Sequence, residues 1–216
     1  MVPPRAVIFD LDGVLFLSSG VHEQAYRQAL AEVGISTFSY AAIAGMRTEE
    51  AMVRLLAEND QLSSPDRIAS LTQKKRDRAA ALLAERPPVV PHCQELLEWL
   101  HVRCRLALAS SSSRRNVQTF LEASGTKALF ETIVCGEEVG RAKPNPEIYQ
   151  SVLAQLGLPA EQCLVVEDAP QGVAAAVAAG IPVVGMEGLC DRAELLHAGC
   201  DGVIAQLNEL RTWVSA

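Results

Sequence analysis

After Pro91 the chain alternates between short apolar runs and longer segments in which apolar residues recur at helical spacing. The short runs are rich in β-branched residues and lack the apolar–polar alternation of strands that face solvent on one side. Together with a similar run near the N-terminus, they predict strands at residues 6–9, 105–109, 133–135, 163–166, 181–184 and 203–204. Such strands, alternating with helices, are typical of a parallel sheet buried on both faces. The sequence therefore predicts an α/β fold.

The segment between the first predicted strand and Pro91 has an almost wholly helical pattern. The triplet Ser64-Pro65-Asp66 has the residue types preferred at the start of a helix, because serine caps free N–H groups and proline tolerates the first turn. The apolar spacing predicts helices at residues 22–33, 49–59 and 66–83. A helical insert is therefore expected to interrupt the sheet domain.

The proline-rich stretch 86–91 breaks the helical pattern and indicates a boundary, since proline removes a helical hydrogen bond. We predict a Rossmann-like parallel-sheet core formed by residues 1–16 and 89–216. We predict an inserted helical subdomain formed by residues 17–88, which we call the cap.

Charge and cysteine pattern narrow the class of protein. The 216 residues carry a net charge of -7, which disfavours binding to nucleic acids or anionic membranes. The apolar N-terminal stretch contains Asp10 and Asp12, so it is unsuited to be a signal peptide or a membrane span. The six cysteines are scattered without a Cys-x-x-Cys pair, which favours reduced thiols in a cytoplasmic protein. Nothing in the sequence requires a partner subunit, and we expect a monomer.

Reactive side chains stand directly after several predicted strands or in a constrained loop. Because the carboxyl ends of parallel strands meet at one edge of a sheet, we expect these side chains to converge there. They are Asp10, Asp12, Ser110, Lys143, Glu167 and Asp168. Each has a simpler interpretation as a turn, cap or surface residue, but their common position at strand ends favours a functional site.

Three of these residues, Asp10, Asp12 and Asp168, are carboxylates that would repel one another if they converged without a cation. Magnesium is a hard cation that prefers oxygen ligands and suits a phosphate substrate. Lys143, held in the sequence Lys-Pro-Asn-Pro, offers a positioned ammonium that can offset phosphate charge. The sequence therefore predicts a site that binds Mg²⁺ and acts on a phosphorylated compound.

Four ordered motifs carry a family resemblance: FDLDGVL, LALASSS, AKPNPEIY and VVEDAPQG. They resemble the motifs of haloacid dehalogenase-like phosphotransferases, and the match runs from Ala6 to about Met186. The helical insert resembles the cap of the subgroup that holds beta-phosphoglucomutase and many small-metabolite phosphatases. The second aspartate, Asp12, argues against the dehalogenase branch of the family, which lacks it.

The resemblance implies roles for individual residues. Asp10 is implied as the nucleophile that forms an aspartyl-phosphate, and Asp12 as the general acid and base. The implied Mg²⁺ ligands are the Asp10 carboxylate, the Asp12 backbone carbonyl and Asp168, with Glu167 in support. The residues implied to bind the transferring phosphoryl group are Ser110, Ser111 and the catalytic Lys143.

Cap residues and the end of the serine run bear on the choice between two reactions. His22 and Lys75 stand where the mutase has a histidine and a lysine. Their simpler interpretations are an ordinary residue at the start of a helix for His22 and a solvated helix surface for Lys75. Arg47, in Gly-Met-Arg, resembles the Gly-x-Arg turn of the sugar phosphatases. Near Ser113 the mutase has a lysine for a second phosphate, a role that either Arg114 or Arg115 could take here.

We favour a phosphatase that hydrolyses a small phosphorylated metabolite, with a sugar phosphate as the expected substrate class. A phosphomutase of the beta-phosphoglucomutase type is the alternative. A third interpretation is a non-catalytic binding module on the same fold, because a fold alone does not prove activity.

Overall fold

The computed structural model describes residues 3–61 and 64–215. Its centre is a six-stranded, wholly parallel sheet with strand order β3-β2-β1-β4-β5-β6. The strands are β1 Ala6–Phe9, β2 Arg105–Ser110, β3 Phe130–Cys135, β4 Cys163–Glu167, β5 Val183–Met186 and β6 Gly202–Ile204. The predicted α/β fold with a Rossmann-like parallel sheet is confirmed.

Helices connect the strands and form the insert. Within the described residues they are α1 Ser19–Ala31, α2 Thr48–Glu58, α3 Pro65–Glu85, α4 Cys93–His101, α5 Arg114–Ser124, α6 Glu147–Leu156, α7 Pro170–Ala178, α8 Arg192–Ala198 and α9 Leu210–Val214. The predicted start of α3 is confirmed, because the Ser64 side chain accepts a hydrogen bond from the backbone N–H of Arg67. Helices α8 and α9 were not predicted, because each is too short to show helical periodicity.

The register of the sheet determines where the polar residues that follow the strands lie relative to one another. Phe9, the last residue of β1, lies opposite Leu108 of β2 and Val166 of β4. Asp10 therefore leaves the sheet between the ends of its two neighbours, beside Ala109 and Glu167. This central position of β1 explains why its carboxyl end organises the site.

Both faces of the sheet are covered by apolar side chains, which explains the absence of alternation in the strands. In β1, Val7 and Phe9 join one buried cluster, whereas Ala6 and Ile8 join a second cluster on the opposite face. A third cluster, separate from both, lies within the cap and includes Tyr26, Leu55 and other residues of α1 to α3. The cap helices thus pack mainly on one another.

The cap and the core are joined by two adjacent chain segments. The backbone N–H of Leu17 donates to the carbonyl of Pro88, and the N–H of Val90 donates to the carbonyl of Leu15, at 2.8 and 3.0 Å. The predicted boundaries of the cap, residues 17 and 88, fall at this two-stranded junction.

Two further features bear on the class of protein. All six cysteines are buried as free thiols, as expected for reduced cysteines. Among residues 3–61 and 64–215, no helix combines the length and the apolar character that a membrane span requires.

Candidate active site

A buried ammonium group lies at the carboxyl end of the sheet. Lys143 is 3% exposed, and its Nζ donates to Asp10 Oδ1 and Glu167 Oε1, both at 2.6 Å. Its third donor reaches the carbonyl of Ala109 at the end of β2, at 3.1 Å. An ammonium has three N–H donors, so all of them are satisfied. Lys143 therefore ties together the ends of β1, β2 and β4.

Three buried carboxylates surround this ammonium. One oxygen from each of Asp10, Glu167 and Asp168 lies within 4.8 Å of the other two. Burial raises the pKa of Asp10 to about 8 even though Lys143 opposes the shift. Burial also raises the pKa of Asp168 well above its ordinary value, and the charges of Glu167 and Asp10 add to this effect. Lys143 alone does not offset the cost of ionising all three groups, so the cluster fits a divalent cation with oxygen ligands, which would favour the charged forms of Asp10 and Asp168.

Glu167 has no acceptor capacity left. Its Oε1 accepts from Lys143 and from the hydroxyl of Tyr149, at 2.6 and 3.0 Å. Its Oε2 accepts from the backbone N–H groups of Asp168 and Ala169, at 3.0 and 3.2 Å. A carboxylate has about four lone-pair sites, and all four are engaged. Glu167 therefore holds the site together, and Asp10 and Asp168 are the better placed to coordinate a cation.

Two glycines allow the carboxylates to pack this closely. A Cβ atom on Gly13 would lie 1.8 Å from Asp168 Oδ2, and one on Gly172 would lie 1.7 Å from Glu167 Oε1. Gly13 also has a φ of +86°, a conformation that side chains rarely adopt. The glycines of the first and last motifs are thus required by the position of the acidic cluster.

Asp12 is oriented by three donors. Ser18 Oγ and the His22 Nε2, the latter at 3.1 Å, bind its Oδ1, and Ser112 Oγ binds its Oδ2 at 2.6 Å. Burial favours the neutral form, but the neighbouring His22 and the three hydrogen bonds prevail and lower the pKa of Asp12 below its ordinary value. The free site therefore holds Asp12 as a carboxylate.

His22 links Asp12 to a second buried lysine. The Lys75 Nζ lies 3.3 Å from His22 Nδ1 and 4.5 Å from the ring centre of Tyr26. Because an ammonium only donates, Nδ1 accepts and Nε2 carries the proton that is donated to Asp12. Burial lowers the pKa of His22, and Lys75 lowers it further. Lys75 is 6% exposed, so its interpretation as part of a solvated helix surface is wrong. Burial also lowers the pKa of Lys75 to about 8.

A cavity of about 190 Å³ lies between the cap and the core. It brings together most of the residues that were predicted for the site, whose assigned roles stay predictions. Those that line it are Asp10, Asp12, His22, Arg47, Lys75, Ser111, Lys143, Glu167 and Asp168.

Two predicted residues lie elsewhere. Arg114 is exposed and forms an ion pair with Glu138 at the surface, so the structure does not bring it to the cavity. The reason is that Arg114 begins helix α5, which directs its side chain away from the sheet edge. Ser110 is fully buried at the end of β2, where its hydroxyl oxygen accepts from the backbone N–H of Ser112 at 3.0 Å. Its contact with a phosphoryl group stays a prediction.

Several residues of the site were missed by the sequence analysis. Ser18 and Ser112 bind Asp12, Tyr149 binds Glu167, and Tyr40 lines the cavity from the cap. The only available signal was indirect, since Tyr149 lies in the third motif and Ser112 in the serine run. Serine and tyrosine are common in loops and cores, so neither signal separates them from structural residues.

The sequence is similar to those of known proteins. A family model described as haloacid dehalogenase-like hydrolase matches residues 4–180. The chain is 33% identical over 192 residues to Protein CbbY of Rhodobacter capsulatus, covering 83% of this chain and 84% of that protein. It is 32% identical over 206 residues to a phosphorylated carbohydrates phosphatase of Thermotoga maritima, covering 93% and 94%.

A solved structure is also similar. The crystal structure of CbbY from Rhodobacter sphaeroides in complex with phosphate superposes with a TM-score of 0.85 at 28% identity. The superposition covers 99% of this chain and all of that one, at 100%. The similarity thus includes the cap as well as the sheet.

We predict that Gly172→Ala destabilises the protein, because the new methyl group must displace the fully engaged Glu167 carboxylate. The free energy of unfolding in urea should fall by about 1–3 kcal/mol, as for other overpacked sites. The matched control is Gly20→Ala in α1, where nothing lies within 4 Å of the added atom and the helix should gain about 0.5–1 kcal/mol. Equal stability of Gly172→Ala and the parent would contradict the packing argument.

We predict that Lys75→Met stabilises the protein at pH 7. The pKa of Lys75 falls from 10.5 to about 8 on folding. The cost of burying its charge, about 3 kcal/mol at most, is fully present below pH 8 and is relieved as the pH rises towards 10.5. Urea unfolding at pH 7 and pH 9.5 should therefore show a gain that shrinks with rising pH.

The control for this prediction is Lys74→Met, a change at the neighbouring lysine. Lys74 is exposed and pairs with Glu32 at the surface, so its removal should give no gain at either pH. A loss of stability in Lys75→Met at pH 7 would show that the contacts of Lys75 with His22 and Tyr26 outweigh the cost of burial.

Proposed function

The chain belongs to the haloacid dehalogenase-like hydrolases, and we propose that it is a magnesium-dependent phosphatase of small phosphorylated metabolites. The observation that carries the proposal is the buried Asp10–Lys143 pair beside Glu167 and Asp168. A nucleophile next to a fixed ammonium and a cation site is the arrangement that phosphoryl transfer requires, because charge develops on the phosphoryl oxygens.

Asp10 is the proposed nucleophile. Lys143 binds its Oδ1, whereas no hydrogen bond from residues 3–61 or 64–215 engages its Oδ2. In the first step, this free oxygen forms a bond to phosphorus while the bond from phosphorus to the leaving oxygen breaks. Asp12, once protonated, gives its proton to the leaving alcohol. The product of the step is an aspartyl-phosphate on Asp10.

Asp12 completes the reaction as a base. It removes a proton from a water molecule, whose oxygen bonds to phosphorus as the bond to Asp10 breaks. Inorganic phosphate leaves and Asp10 is restored as a carboxylate. Asp12 then loses the proton to solvent and returns to the carboxylate form of the free site. The hydrogen bonds from Ser18, His22 and Ser112 hold Asp12 at the cavity for both proton transfers.

Magnesium fits the unbalanced negative charge of the acidic cluster. Asp10 and Asp168 would hold it directly, together with the backbone carbonyl of Asp12, and Glu167 would support them. When bound, the cation supplies positive charge that offsets the charge of the phosphoryl group. The ammonium group of Lys143 supplies further positive charge, which is part of the protein itself.

The proposed substrate class is a sugar phosphate or a metabolite of similar size and polarity. The cavity is small, about 190 Å³, and its cap side offers the cationic Lys75 and the hydroxyl groups of Tyr40 and Thr48. Such a surface suits a compact compound with several hydroxyl groups. The Thermotoga maritima relative, named as a phosphatase of phosphorylated carbohydrates, supports the same class.

The mutase alternative rests on one observation, the contact of His22 with both Asp12 and Lys75 inside the cavity. A mutase must also hold a second phosphate. The two arginines near the expected position, Arg114 and Arg115, do not line the cavity; Arg114 pairs with Glu138, and Arg115 lies 3.7 Å from Asp77. We therefore favour hydrolysis.

We predict that Asp10→Asn abolishes phosphate release and that the parent loses activity when EDTA removes divalent cations. The assay is phosphate release with Mg²⁺ from a panel of phosphorylated metabolites that includes beta-glucose 1-phosphate with a trace of its bisphosphate. Glucose 6-phosphate without free phosphate would establish the mutase instead. Full turnover by Asp10→Asn would overturn the assignment of the nucleophile.

We predict that Asp12→Asn slows turnover by about 100-fold or more, because it removes the proton donor and acceptor. Titration with Mg²⁺ should show little change in affinity, since the metal contact proposed for this residue is a backbone oxygen. Loss of Mg²⁺ binding in Asp12→Asn would contradict that assignment. Asp168→Asn serves as the positive control, because it should weaken Mg²⁺ binding directly.

A further inference from the structure

Arg47 makes an unusual set of contacts for a residue predicted to bind phosphate. It stands at the start of α2 in the cap, and its guanidinium crosses to the loop that follows β3 in the core. Nη1 donates to the carbonyl of Gly140 at 3.1 Å, and Nη2 donates to the carbonyls of Gly136 and Val139, the former at 2.8 Å. The three acceptors are neutral backbone oxygens of the core.

These contacts use the N–H donors with which the Arg47 guanidinium would bind a phosphate. A guanidinium binds an anion through one of two edges, and Nη2 belongs to both edges. Because both hydrogens of the Arg47 Nη2 are donated to carbonyls, neither edge is free. The remaining Nε is buried and has no partner among the described residues, although it belongs to a residue that lines the cavity. The geometry is that of a clamp between two parts of the protein.

The loop that receives Arg47 is connected to the reacting groups. It runs from Gly136 to Lys143, whose ammonium binds Asp10. At its start, Gly136 packs so closely on the carbonyl of Ser111 that an added Cβ would lie 2.5 Å away. At its centre, the Glu147 side chain accepts from the backbone N–H groups of Gly140 and Arg141. Arg47 therefore grips a loop that is itself fixed to the site.

Other contacts between the far side of the cap and the core are weak by comparison. The ion pair of Arg115 with Asp77 spans 3.7 Å and is exposed, so solvent screens it. A Cβ added to Gly45 would lie 3.3 Å from the Ala169 Cβ, so this turn of the cap also lies close to the core.

Two other residues of the cap, Ser18 and His22, bind the core at Asp12, and Ser18 directly follows the junction residue Leu17. Among the described residues, Arg47 is the residue that hydrogen-bonds the cap to the loop after β3.

We propose that Arg47 is a positioning residue that holds the cap closed over the cavity, rather than a ligand of the substrate phosphate. The inference rests on the proposed function and deepens it, because a closed cap keeps Lys75 and Tyr40 at the cavity in which the proposed chemistry takes place. The three carbonyls are available only in the closed arrangement, so Arg47 links closure to the loop that carries Lys143. Activity then depends on the fork geometry of arginine and not on its charge alone.

The test compares Arg47→Lys and Arg47→Gln with the parent. Lysine keeps the charge but cannot reach three carbonyls in a fork, and glutamine removes the charge. The matched control is Arg54→Gln on the same helix. Among the described residues, Arg54 donates to Glu58 and to the carbonyl of Ala42, both within the cap. Each variant is measured by small-angle X-ray scattering with Mg²⁺ and no substrate, which reports closure without any reaction.

The proposal expects both Arg47 variants to scatter as a more open particle, with the closed-to-open ratio reduced by about tenfold or more. Arg54→Gln should scatter like the parent. In the phosphatase assay, both Arg47 variants should lose activity equally on p-nitrophenyl phosphate and on a bisphosphate. Methanol should also capture a larger share of the phosphoryl group, because the open site admits the alcohol.

Parent-like scattering, or a loss confined to substrates with a second phosphate, would overturn the proposal and make Arg47 a phosphate ligand. Full rescue by Arg47→Lys would overturn it as well, since a point charge would then suffice. Absence of phosphate release by the parent would instead contradict the proposed function. The scattering comparison would still decide the role of Arg47 in closure.

Discussion

The ammonium group of Lys143, buried among three carboxylates at the carboxyl end of the sheet, is the interaction on which the site depends. It binds Asp10, Glu167 and a backbone carbonyl of β2, so it fixes three strand ends at once. Burying so many charges is costly unless they are paired and hydrogen-bonded. The Tyr149 hydroxyl and two backbone N–H groups hydrogen-bond Glu167, and two glycines leave space for Glu167 and Asp168. The acidic cluster beside Lys143 is the reason that we propose a divalent cation at this site.

A second buried lysine, Lys75, lies on the cap side of the cavity. Lys75 contacts His22, which in turn binds Asp12, so one histidine connects Lys75 to the proposed general acid and base. Burial of Lys75 reduces stability at neutral pH and places a cation where a phosphorylated substrate would enter. Arg47 then closes the same cavity by gripping the loop that ends in Lys143. Burying the charged groups that the proposed chemistry needs thus lowers the free energy of unfolding of the protein. Such a trade-off between stability and activity is common in active sites.

The sequence predicted the parallel sheet and the grouping of Asp10, Lys143 and Asp168, because strand ends of a parallel sheet meet at one edge. Periodicity also located the cap helices, since long amphipathic segments carry a strong signal. It did not predict that Arg47 donates to core carbonyls or that Ser112 binds Asp12, because these contacts join residues about 90 to 100 positions apart. No local sequence pattern indicates such pairs. Every residue has a backbone carbonyl, so its residue type does not show which carbonyl accepts a hydrogen bond.

The most direct test of the central claim is the thermal unfolding midpoint at pH 7, measured with and without Mg²⁺ for the parent and for Asp168→Asn. A cation that binds only the folded protein must stabilise it. The account predicts that Mg²⁺ raises the midpoint of the parent, and that it has little effect on Asp168→Asn, whose cluster carries one negative charge fewer. An unchanged parent midpoint, or an equal rise in both proteins, would contradict a cation site built from Asp10 and Asp168.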